Sequence, residues 1–339
     1  MARKHVNVGI VGVGYWGKNL LRTFAQQAKA RVLELCDLDQ GLLAKYRDEY
    51  PGVRTTTSFD EIIHRDDLDA IVLATPPSRH HAMALPALEA CKHVWVEKPL
   101  ALTLAHGREL VKAAQAAERT LFVDETFLYD PLVREMKHLI DAGHLGDLYH
   151  LSFERLGMGR IKRDSNVWWN SAPHDLSILF HLVPRALKQM RFHEHCYLQK
   201  GIADMIVADL ELEGGVSAHI YLNWLYPEKT AKVVVTGTQR MLSFEGRFEK
   251  RALTLHDYNV DLSTNGNGSG DTSVVPITSF TSRRLEVPAA AEPLALAAEH
   301  FLDCILNRQE PVSSGARSLR VVEALEAAEH VATHGGRFV

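Results

Sequence analysis

The chain has 339 residues, 46% of them hydrophobic and 24% charged, and this ordinary balance excludes an extended disordered protein and a membrane protein. Its 42 acidic and 38 basic residues give a formal net charge of −4, which offers no electrostatic reason to bind nucleic acid or an anionic membrane. The length exceeds the usual span of one domain, roughly 100–200 residues, and therefore predicts two domains.

The cysteines and the N-terminal segment indicate the cellular location. Cys36, Cys91, Cys196 and Cys304 are widely separated and match no zinc or CxxC spacing, so we expect reduced thiols and no metal site. Basic residues precede the first apolar stretch, but that stretch is short and interrupted by glycines, unlike a secretory signal. The sequence thus predicts a cytoplasmic protein that binds a small-molecule substrate, with neither nucleic acid nor membrane as a partner.

From Val6 to Asp124, short β-branched runs alternate with longer helical stretches, which is typical of a parallel sheet covered by helices. The predicted strands are VNVGIV, RVLELC, DAIVLA, HVWVE and TLFVD. The predicted helices are Leu20–Gln27, Leu42–Tyr50, His80–Ala90 and Leu104–Ala117, the last with Thr103 as its N-cap. The pattern predicts an α/β domain over residues 1–124.

Beyond residue 124 one helix is followed by runs of strands, which predicts a separate α+β domain over residues 125–339 with a large, open, mostly antiparallel sheet. The predicted elements are the helix Pro131–Ala142 and the strands Leu148–Arg155, Met205–Glu213, Val216–Asn223, Lys232–Thr236 and Met241–Phe244. Glu213-Gly214-Gly215 predicts a hairpin turn, and Ser263–Thr272 predicts a loop. Two final helices, Leu294–Leu306 and Arg317–Thr333, are able to pack back on the first domain.

A glycine-rich motif follows the first predicted strand. Gly12, Gly14 and Gly17 form the pattern GxGxxG, with Tyr15 and Trp16 inside it, directly before a predicted helix. Glycines at this place allow a tight turn and the close approach of a pyrophosphate to a helix N-terminus. Asp37 ends the next strand, where a carboxylate accepts hydrogen bonds from an adenosine ribose and repels a 2′-phosphate. The motif indicates a Rossmann-type domain with NAD(H) favoured over NADP(H), and a related fold binding a flavin or a methyl donor is the alternative.

Several segments together resemble the Gfo/Idh/MocA oxidoreductases, which include glucose-fructose oxidoreductase and inositol dehydrogenases. They are VGIVGVGYWGKN, CDLD, ATPPSRHH, KHVWVEKPLAL and APHDLSIL, and the resemblance as a whole extends over nearly the entire chain. GYWGKNLLRTF and VDETFLYDPLVREMK are most similar to the branch that contains UDP-sugar 3-dehydrogenases. The resemblance implies that Glu97, Lys98, Thr75, Pro76 and His80 border the cofactor, and that the Lys98–Pro99 bond is cis. For His80, a structural role at a helix start is an equal alternative.

The same resemblance implies the catalytic residues. Lys98 ends a strand, where an ammonium can stabilise an alkoxide or exchange a proton, and His174 matches the catalytic histidine of the family. Asn170, four residues before His174, stands where relatives commonly carry an aspartate, and an amide positions a hydroxyl but cannot act as a base. Glu125 stands where the branch often has a histidine. These two departures leave open an altered reaction.

The candidate substrate contacts are less specific. Arg155, Arg160, Lys162 and Arg163 precede Trp168 and Trp169 in one stretch; arginines can clamp a phosphate or carboxylate, and a tryptophan can stack on a sugar. A solvated basic loop beside a core tryptophan is the alternative. The predicted substrate-binding residues are Glu125, Tyr129, Arg155, Arg163, Trp169, Asn170 and His174, with Tyr129 and Phe127 equally able to be packing residues.

The sequence therefore predicts an enzyme that transfers a hydride between NAD(H) and a carbinol or ketone carbon of a sugar, nucleotide sugar or cyclitol. The alternatives are an imine or other specialised-metabolite reductase on the same scaffold and a non-redox NAD-binding protein. The family resemblance further implies a homodimer or homotetramer that is packed through the open face of the second domain's sheet.

Overall fold

The computed structural model of the chain describes residues 4–247, 250–260, 277–288 and 291–333. The chain divides into two compact units. The first comprises Met1–Asp130 and Ala290–Glu326, and the second comprises Pro131–Ala289 and Ala327–Val339. The predicted loop Ser263–Thr272 lies outside the described residues.

The first unit contains a parallel sheet whose described strands lie in the order β3-β2-β1-β4-β5-β6. These strands are β1 (Val6–Val11), β2 (Ala30–Cys36), β3 (Arg54–Thr56), β4 (Ala70–Leu73), β5 (His93–Val96) and β6 (Leu121–Val123). The connecting helices are α1 (Gly17–Gln26), α2 (Gln40–Glu49), α3 (Phe59–Ile63), α4 (Pro77–Glu89) and α5 (Leu104–Ala116). The order reverses between β1 and β4, and such a switch point opens a crevice at the carboxyl ends of the strands. The predicted Rossmann-type domain is confirmed.

The sheet of this unit is buried on both faces, which explains the continuous apolar runs of its strands. One core cluster contains Val8, Ile10, Val72 and Trp95, and the other contains Val11, Ile71 and Val94, so alternate residues of each strand enter opposite layers. The side chain of Thr103 accepts a hydrogen bond from the backbone nitrogen of His106, so the predicted N-cap of α5 is confirmed.

The second unit contains an eight-stranded sheet among the described residues, in the order β14-β13-β12-β11-β7-β10-β9-β8. Its elements are α6 (Pro131–Asp141), β7 (Leu148–Leu156), α7 (Val167–Leu182), β8 (Leu187–His195), β9 (Met205–Leu212), β10 (Ser217–Asn223), β11 (Thr230–Gly237), β12 (Arg240–Glu245), β13 (Ala252–Val260) and β14 (Ile277–Arg284). Only the pair β7 and β10 is parallel among the described pairings, so the predicted mostly antiparallel sheet is confirmed. Gly214 and Gly215, with φ of 77° and 79°, make the predicted turn between β9 and β10.

The domain boundary differs from the one expected between residues 124 and 125, because the first unit continues to Asp130. A turn of 3₁₀-helix, Thr126–Tyr129, places Leu128 and Tyr129 in the core of the first unit. The helix α8 (Pro293–Asn307) adds Phe301 and Leu302 to the same core, and α9 (Gly315–Thr333) begins in this unit. The final helical segment was expected as part of the second domain, and the structure instead assigns Ala290–Glu326 to the first unit.

None of the helices in the described part of the chain combines the length and the apolar character that a membrane span requires.

Candidate functional site

The glycine-rich turn after β1 is shaped by three glycines that serve different purposes. Gly12 has a φ of 84°, which side-chain-bearing residues rarely adopt, and a Cβ added at Gly17 would lie 1.8 Å from the Gly12 carbonyl oxygen. A Cβ added at Gly14 would meet no protein atom within 4 Å. Gly12 and Gly17 therefore hold the turn together, whereas Gly14 borders open space that a pyrophosphate can approach.

The N-terminus of α1 is left available to an anion. No side chain caps the helix, and its first turn contains no acidic residue. The backbone N–H groups and the positive end of the helix dipole are thus not neutralised by the protein. Tyr15 and Trp16, which immediately precede the helix, are 66% and 40% exposed. These features fit the pyrophosphate of a dinucleotide.

Asp37 follows β2 and turns its carboxylate toward the glycine-rich turn. One oxygen, Oδ2, accepts a hydrogen bond of 2.7 Å from the backbone nitrogen of Val13, and Oδ1 accepts one of 2.9 Å from the backbone nitrogen of Asp39. The carboxylate is therefore held at the crevice edge in a defined orientation. Asp39 instead caps α2 through the backbone nitrogens of Gly41 and Leu42.

His80 has the structural surroundings that the sequence analysis gave as the alternative, and its contact with the cofactor stays a prediction. The imidazole is fully buried in the first turn of α4, with Nδ1 2.8 Å from the Pro99 carbonyl oxygen and Nε2 2.9 Å from that of Thr75. Burial lowers the pKa of His80, so the ring is neutral near pH 7 and donates to one of the two carbonyls. His80 thereby connects the loop after β4 with the cis Lys98–Pro99 bond, which the resemblance implied.

The loops after β4 and β5 bring three further predicted residues to the same sheet edge. Thr75 is half-buried, with a buried hydroxyl oxygen that has no hydrogen-bond partner among the described residues, and Pro76 is exposed. Lys98 is half-buried, and its positive charge contributes to lowering the pKa of His80. Lys98 therefore lies near the crevice edge, where its sequence position predicts it.

Glu125 and Tyr129 are buried in the first unit, and their role as substrate contacts stays a prediction. Tyr129 is 2% exposed, and its hydroxyl lies 3.0 Å from the Ser313 hydroxyl. Glu125 is 5% exposed, and burial is the main reason that the pKa of its carboxyl rises to about 7. The charge of Asp124 adds to this rise. Both residues belong to the interior because the 3₁₀ turn directs them inward.

The raised pKa of Glu125 predicts a pH-dependent stability. An unfolded glutamate has a pKa of roughly 4.3, so between there and about 7 the folded protein keeps a proton that the unfolded chain has lost. Stability consequently falls as the pH rises through this window. We expect Glu125→Gln to be more stable than the parent protein by up to about 3 kcal/mol at pH 8, with the difference vanishing near pH 4.

Urea unfolding at several pH values measures this difference. The matched control is Glu323→Gln on the exposed side of α9, for which stability should change little at any pH. A Glu125→Gln variant with an advantage that does not grow with pH would contradict the assignment of a titrating Glu125.

In the second unit, α7 presents Asn170 and His174 one helical turn apart. Both are half-buried, whereas the residues Ser171, Ala172, Pro173 and Asp175 beside them are buried. The helix begins where the side chain of its N-cap, Asn166, accepts a hydrogen bond of 3.0 Å from the backbone nitrogen of Trp169. The predicted i, i+4 relation of Asn170 and His174 is therefore present in the helix. Lys98 belongs to the other unit, and its joint action with these residues stays a prediction.

The three remaining substrate candidates have different surroundings. Arg155 on β7 pairs with Asp175 of α7 through two hydrogen bonds of 3.1 and 2.7 Å, and Asp175 is 1% exposed. The indole nitrogen of Trp169 donates to Glu329 over 2.5 Å. Arg163 is exposed. Arg155 thus has a structural task in holding α7 against the sheet, and the roles of Trp169 and Arg163 toward substrate stay predictions.

Two buried acids beside the predicted residues were not among the predicted site residues. Asp175 follows His174 and binds Arg155, and Asp124 follows β6 directly, next to the loop that carries Glu97 and Lys98. Because parallel strands end at one edge of a sheet, the acids that directly follow HVWV and LFV were a usable signal for the second case. No cluster of three or more metal-ligating side chains occurs within residues 4–247, 250–260, 277–288 and 291–333.

Comparison with protein-family models gives two matches. The Gfo/Idh/MocA model described as an oxidoreductase family with an NAD-binding Rossmann fold matches residues 6–125. The model of the Gfo/Idh/MocA C-terminal domain matches residues 133–243. Together they extend over most of both units.

Individual proteins are also similar to the chain. The glycosyl hydrolase family 109 protein 2 of Shewanella sp. (strain ANA-3) is 31% identical over 177 residues, which cover 48% of this chain and 39% of that protein. The chain thus spans about two fifths of the length of such a relative.

Two solved structures share the whole fold. The UDP-N-acetylglucosamine 3-dehydrogenase GnnA of Acidithiobacillus ferrooxidans has a TM-score of 0.81 at 23% identity, covering 95% of this chain and 96% of its own. The WlbA dehydrogenase of Bordetella pertussis, in complex with NADH and UDP-GlcNAcA, has a TM-score of 0.80 at 22% identity, covering 98% of each chain.

Proposed function

Because the chain belongs to the Gfo/Idh/MocA family of oxidoreductases, we propose that it transfers a hydride between NAD(H) and a carbinol or ketone carbon of a sugar, nucleotide sugar or cyclitol. The observation that carries the proposal is the combination, at one sheet edge, of the uncapped N-terminus of α1 with Lys98. The first fits a dinucleotide pyrophosphate, and the second supplies a cation for an oxygen that gains or loses a proton. The two solved dehydrogenases support a nucleotide sugar among these substrates.

The chain's own task in this reaction is to bind, to orient and to handle one proton. When bound, NAD(H) supplies the hydride acceptor or donor. In the oxidative direction, the Lys98 amine or the His174 imidazole takes up the proton of the carbinol oxygen, and the Lys98 ammonium formed in the first case stabilises the negative charge that develops on that oxygen. Asn170 forms a hydrogen bond with a substrate hydroxyl, but its amide cannot act as an acid or a base. The buried Asp175, bound to Arg155, keeps the helix that carries His174 in place.

We further propose that NAD(H) is preferred to NADP(H). The support is the fixed carboxylate of Asp37, which is oriented by two backbone N–H groups and would repel a 2′-phosphate. Leu38 and Asp39, the next two residues, bring no positive charge to the same place.

The Asp37→Asn variant tests this preference. Removing the charge leaves an amide oxygen that can still accept one of the two backbone hydrogen bonds, so the turn should persist. We expect the ratio of the NADPH to the NADH dissociation constant to fall by about 10- to 100-fold, in line with the 1.5–3 kcal/mol of a charge-assisted contact. Calorimetric titration with both nucleotides measures the ratio. Asp39→Asn, which conserves the cap of α2, should leave it unchanged; a ratio that is equal in both variants would contradict the role of Asp37.

A second candidate is the cleavage of a glycoside, and it is favoured by the similarity to the glycosyl hydrolase family 109 protein. Oxidation of a sugar carbinol to a ketone acidifies the neighbouring C–H bond, so the same hydride step can prepare a glycosidic bond for elimination. Such a reaction would release a free sugar or aglycone without net consumption of the nucleotide.

The experiment that tests the proposed function combines purified protein with NAD⁺ or NADH and panels of sugars, UDP-sugars, cyclitols, glycosides and imines. Absorbance at the NADH band reports net redox, and chromatography reports released sugars. Turnover of a sugar hydroxyl or ketone supports the proposal, and sugar release without net redox supports the second candidate. Reduction of imines alone would contradict both the proposed function and the second candidate, and it would indicate an imine reductase. Binding of NAD(H) without any turnover would indicate the non-redox alternative, and no nucleotide binding would refute the common premise.

We also propose a homodimer or homotetramer in the cytoplasm. The support is the face of the second unit's sheet that carries the half-buried Val207, Tyr221, Val234 and Met241, because a mixed apolar surface of this kind is stabilised by cover.

A further inference from the structure

Two carboxyl groups lie side by side at the ends of neighbouring strands. Val96 of β5 pairs in register with Val123 of β6, so the residues that follow, Glu97 and Asp124, are adjacent at the same edge. Asp124 is 1% exposed, and each of the two side chains affects the pKa of the other. They form what we call the acid pair, Glu97 and Asp124.

The acid pair is surrounded by donors from two other segments. The hydroxyl of Thr126 donates to Asp124 Oδ1 over 2.8 Å. Trp16, in the glycine-rich turn, and the ammonium of Lys98 both act to lower the pKa of each carboxyl. The pair therefore lies near a dinucleotide-site residue and near the predicted catalytic lysine.

Two oxygen atoms of the pair lack a donor. Glu97 Oε1 and Asp124 Oδ2 are buried, and neither has a hydrogen-bond partner among the described residues when both groups are ionised. Two neighbouring ionised carboxylates would repel each other when buried, whereas one proton between them satisfies an oxygen on each side. Burial, together with the neighbouring Asp124, raises the pKa of Glu97 well above its usual range, and burial also raises the pKa of Asp124.

We propose that Glu97 and Asp124 share one proton and act as a positioning pair that fixes the proton affinity of Lys98. The proposal rests on the proposed function, in which Lys98 exchanges a proton with substrate. With one proton, the pair carries a single negative charge, which favours the ammonium form of Lys98 without the repulsion of a second charge.

Other titratable groups also face this cluster. His80 lies close enough to Lys98 for the lysine charge to disfavour the protonated imidazole, and burial lowers the pKa of His80 further. Glu125 is next to Asp124, and the pKa of its carboxyl is about 7, so it would add a protonated carboxyl near neutral pH. The Glu125→Gln substitution removes this additional carboxyl, so that a protonated carboxyl in the variant belongs to the acid pair.

Infrared spectroscopy of the unliganded protein tests the shared proton directly. In the Glu125→Gln background at neutral pH we expect the C=O stretch of a protonated carboxyl. Adding Asp124→Asn or Glu97→Gln should abolish it, because each leaves one ionised carboxylate that accepts a hydrogen bond from the new amide. Absence of the band before these substitutions, or its persistence in the Glu97→Gln/Asp124→Asn double variant, would overturn the proposal.

The effect on Lys98 is measured by competitive acylation of amines across a pH range, read by mass spectrometry on unliganded protein. The single variants keep one negative charge and should shift the titration of Lys98 little. The double variant removes that charge and should lower its midpoint by about 1–3 pH units. An unshifted midpoint in the double variant would refute the positioning role, because a merely structural pair would not move this titration.

Both measurements use protein without nucleotide or substrate, so their failure is distinct from failure of the substrate panels. If the double variant does not fold, the infrared spectra of the two single variants decide whether the proton is shared. Thermal melting of each variant shows whether the variant is folded.

Discussion

Replacing Lys98 with methionine should reduce hydride transfer by about 100- to 10,000-fold, the usual contribution of a positioned acid–base group. Methionine keeps the length of the side chain and removes the charge, so the alkoxide loses its stabilising cation and the proton its acceptor. Nucleotide binding should persist, because the glycine-rich turn and Asp37 belong to other loops. The expected signature is a fall in kcat with a nearly unchanged dissociation constant for NADH.

Steady-state absorbance of NADH and calorimetry measure the two quantities on one preparation. The matched control is Lys112→Met on the exposed side of α5, which removes a lysine charge far along the chain from the strand ends. A Lys98→Met enzyme with kcat within a few-fold of the parent would exclude Lys98 from the chemistry. Melting temperatures should accompany the assay, because the loss of a cation beside the acid pair changes the charge balance of a buried group.

The second large effect is expected from alanine at Gly17. The added Cβ would lie 1.8 Å from the carbonyl oxygen of Gly12. Because that oxygen belongs to the backbone, the turn itself must move. We expect a loss of at least about 3 kcal/mol in unfolding free energy, at the upper end of overpacking costs, together with loss of nucleotide binding. Chemical denaturation measures the first and calorimetry the second.

Gly14→Ala is the informative counterpart, because its Cβ meets no protein atom within 4 Å. Stability should stay nearly the same while NAD(H) affinity falls, since the methyl group occupies space that the pyrophosphate needs. Two alanines three residues apart would then separate the glycine that forms the turn from the glycine that admits the ligand. Equal effects of both substitutions on stability would contradict this division.

The sequence predicts those strands and helices whose local pattern of apolar residues matches their burial in the core. Apolar runs such as DAIVLA belong to strands buried on both faces, and their spacing by amphipathic helices is a local property. The short strand β3, with three residues, carries too little pattern to be recognised. In β14 all eight residues are exposed, so no alternation marks it as a strand. It exists through pairing with β13, which is a tertiary property.

The candidate site divides in the same way. The motif positions of Gly12, Gly17 and Asp37 follow from backbone needs that a short sequence expresses. The burial of Glu125 and Tyr129 does not, because it depends on α8 and α9 from the distant end of the chain. Arg155 was expected to meet a ligand, but it pairs with Asp175 across a strand and a helix. Which partner a side chain finds is fixed by packing, and packing is not local.

The discontinuous first unit has a consequence for the order of events during synthesis. Its central sheet is complete once β6 has emerged, but Phe301 and Leu302 of α8, which fill the same core, are separated from it by the entire second unit. One apolar layer of the nascent N-terminal sheet, which α1 and α2 cover only in part, therefore stays incomplete while the intervening strands are translated. Contacts between residues so far apart in the sequence slow folding and prolong the exposure of apolar surface. We therefore expect this chain to depend on chaperones more than a domain that is folded from contiguous residues.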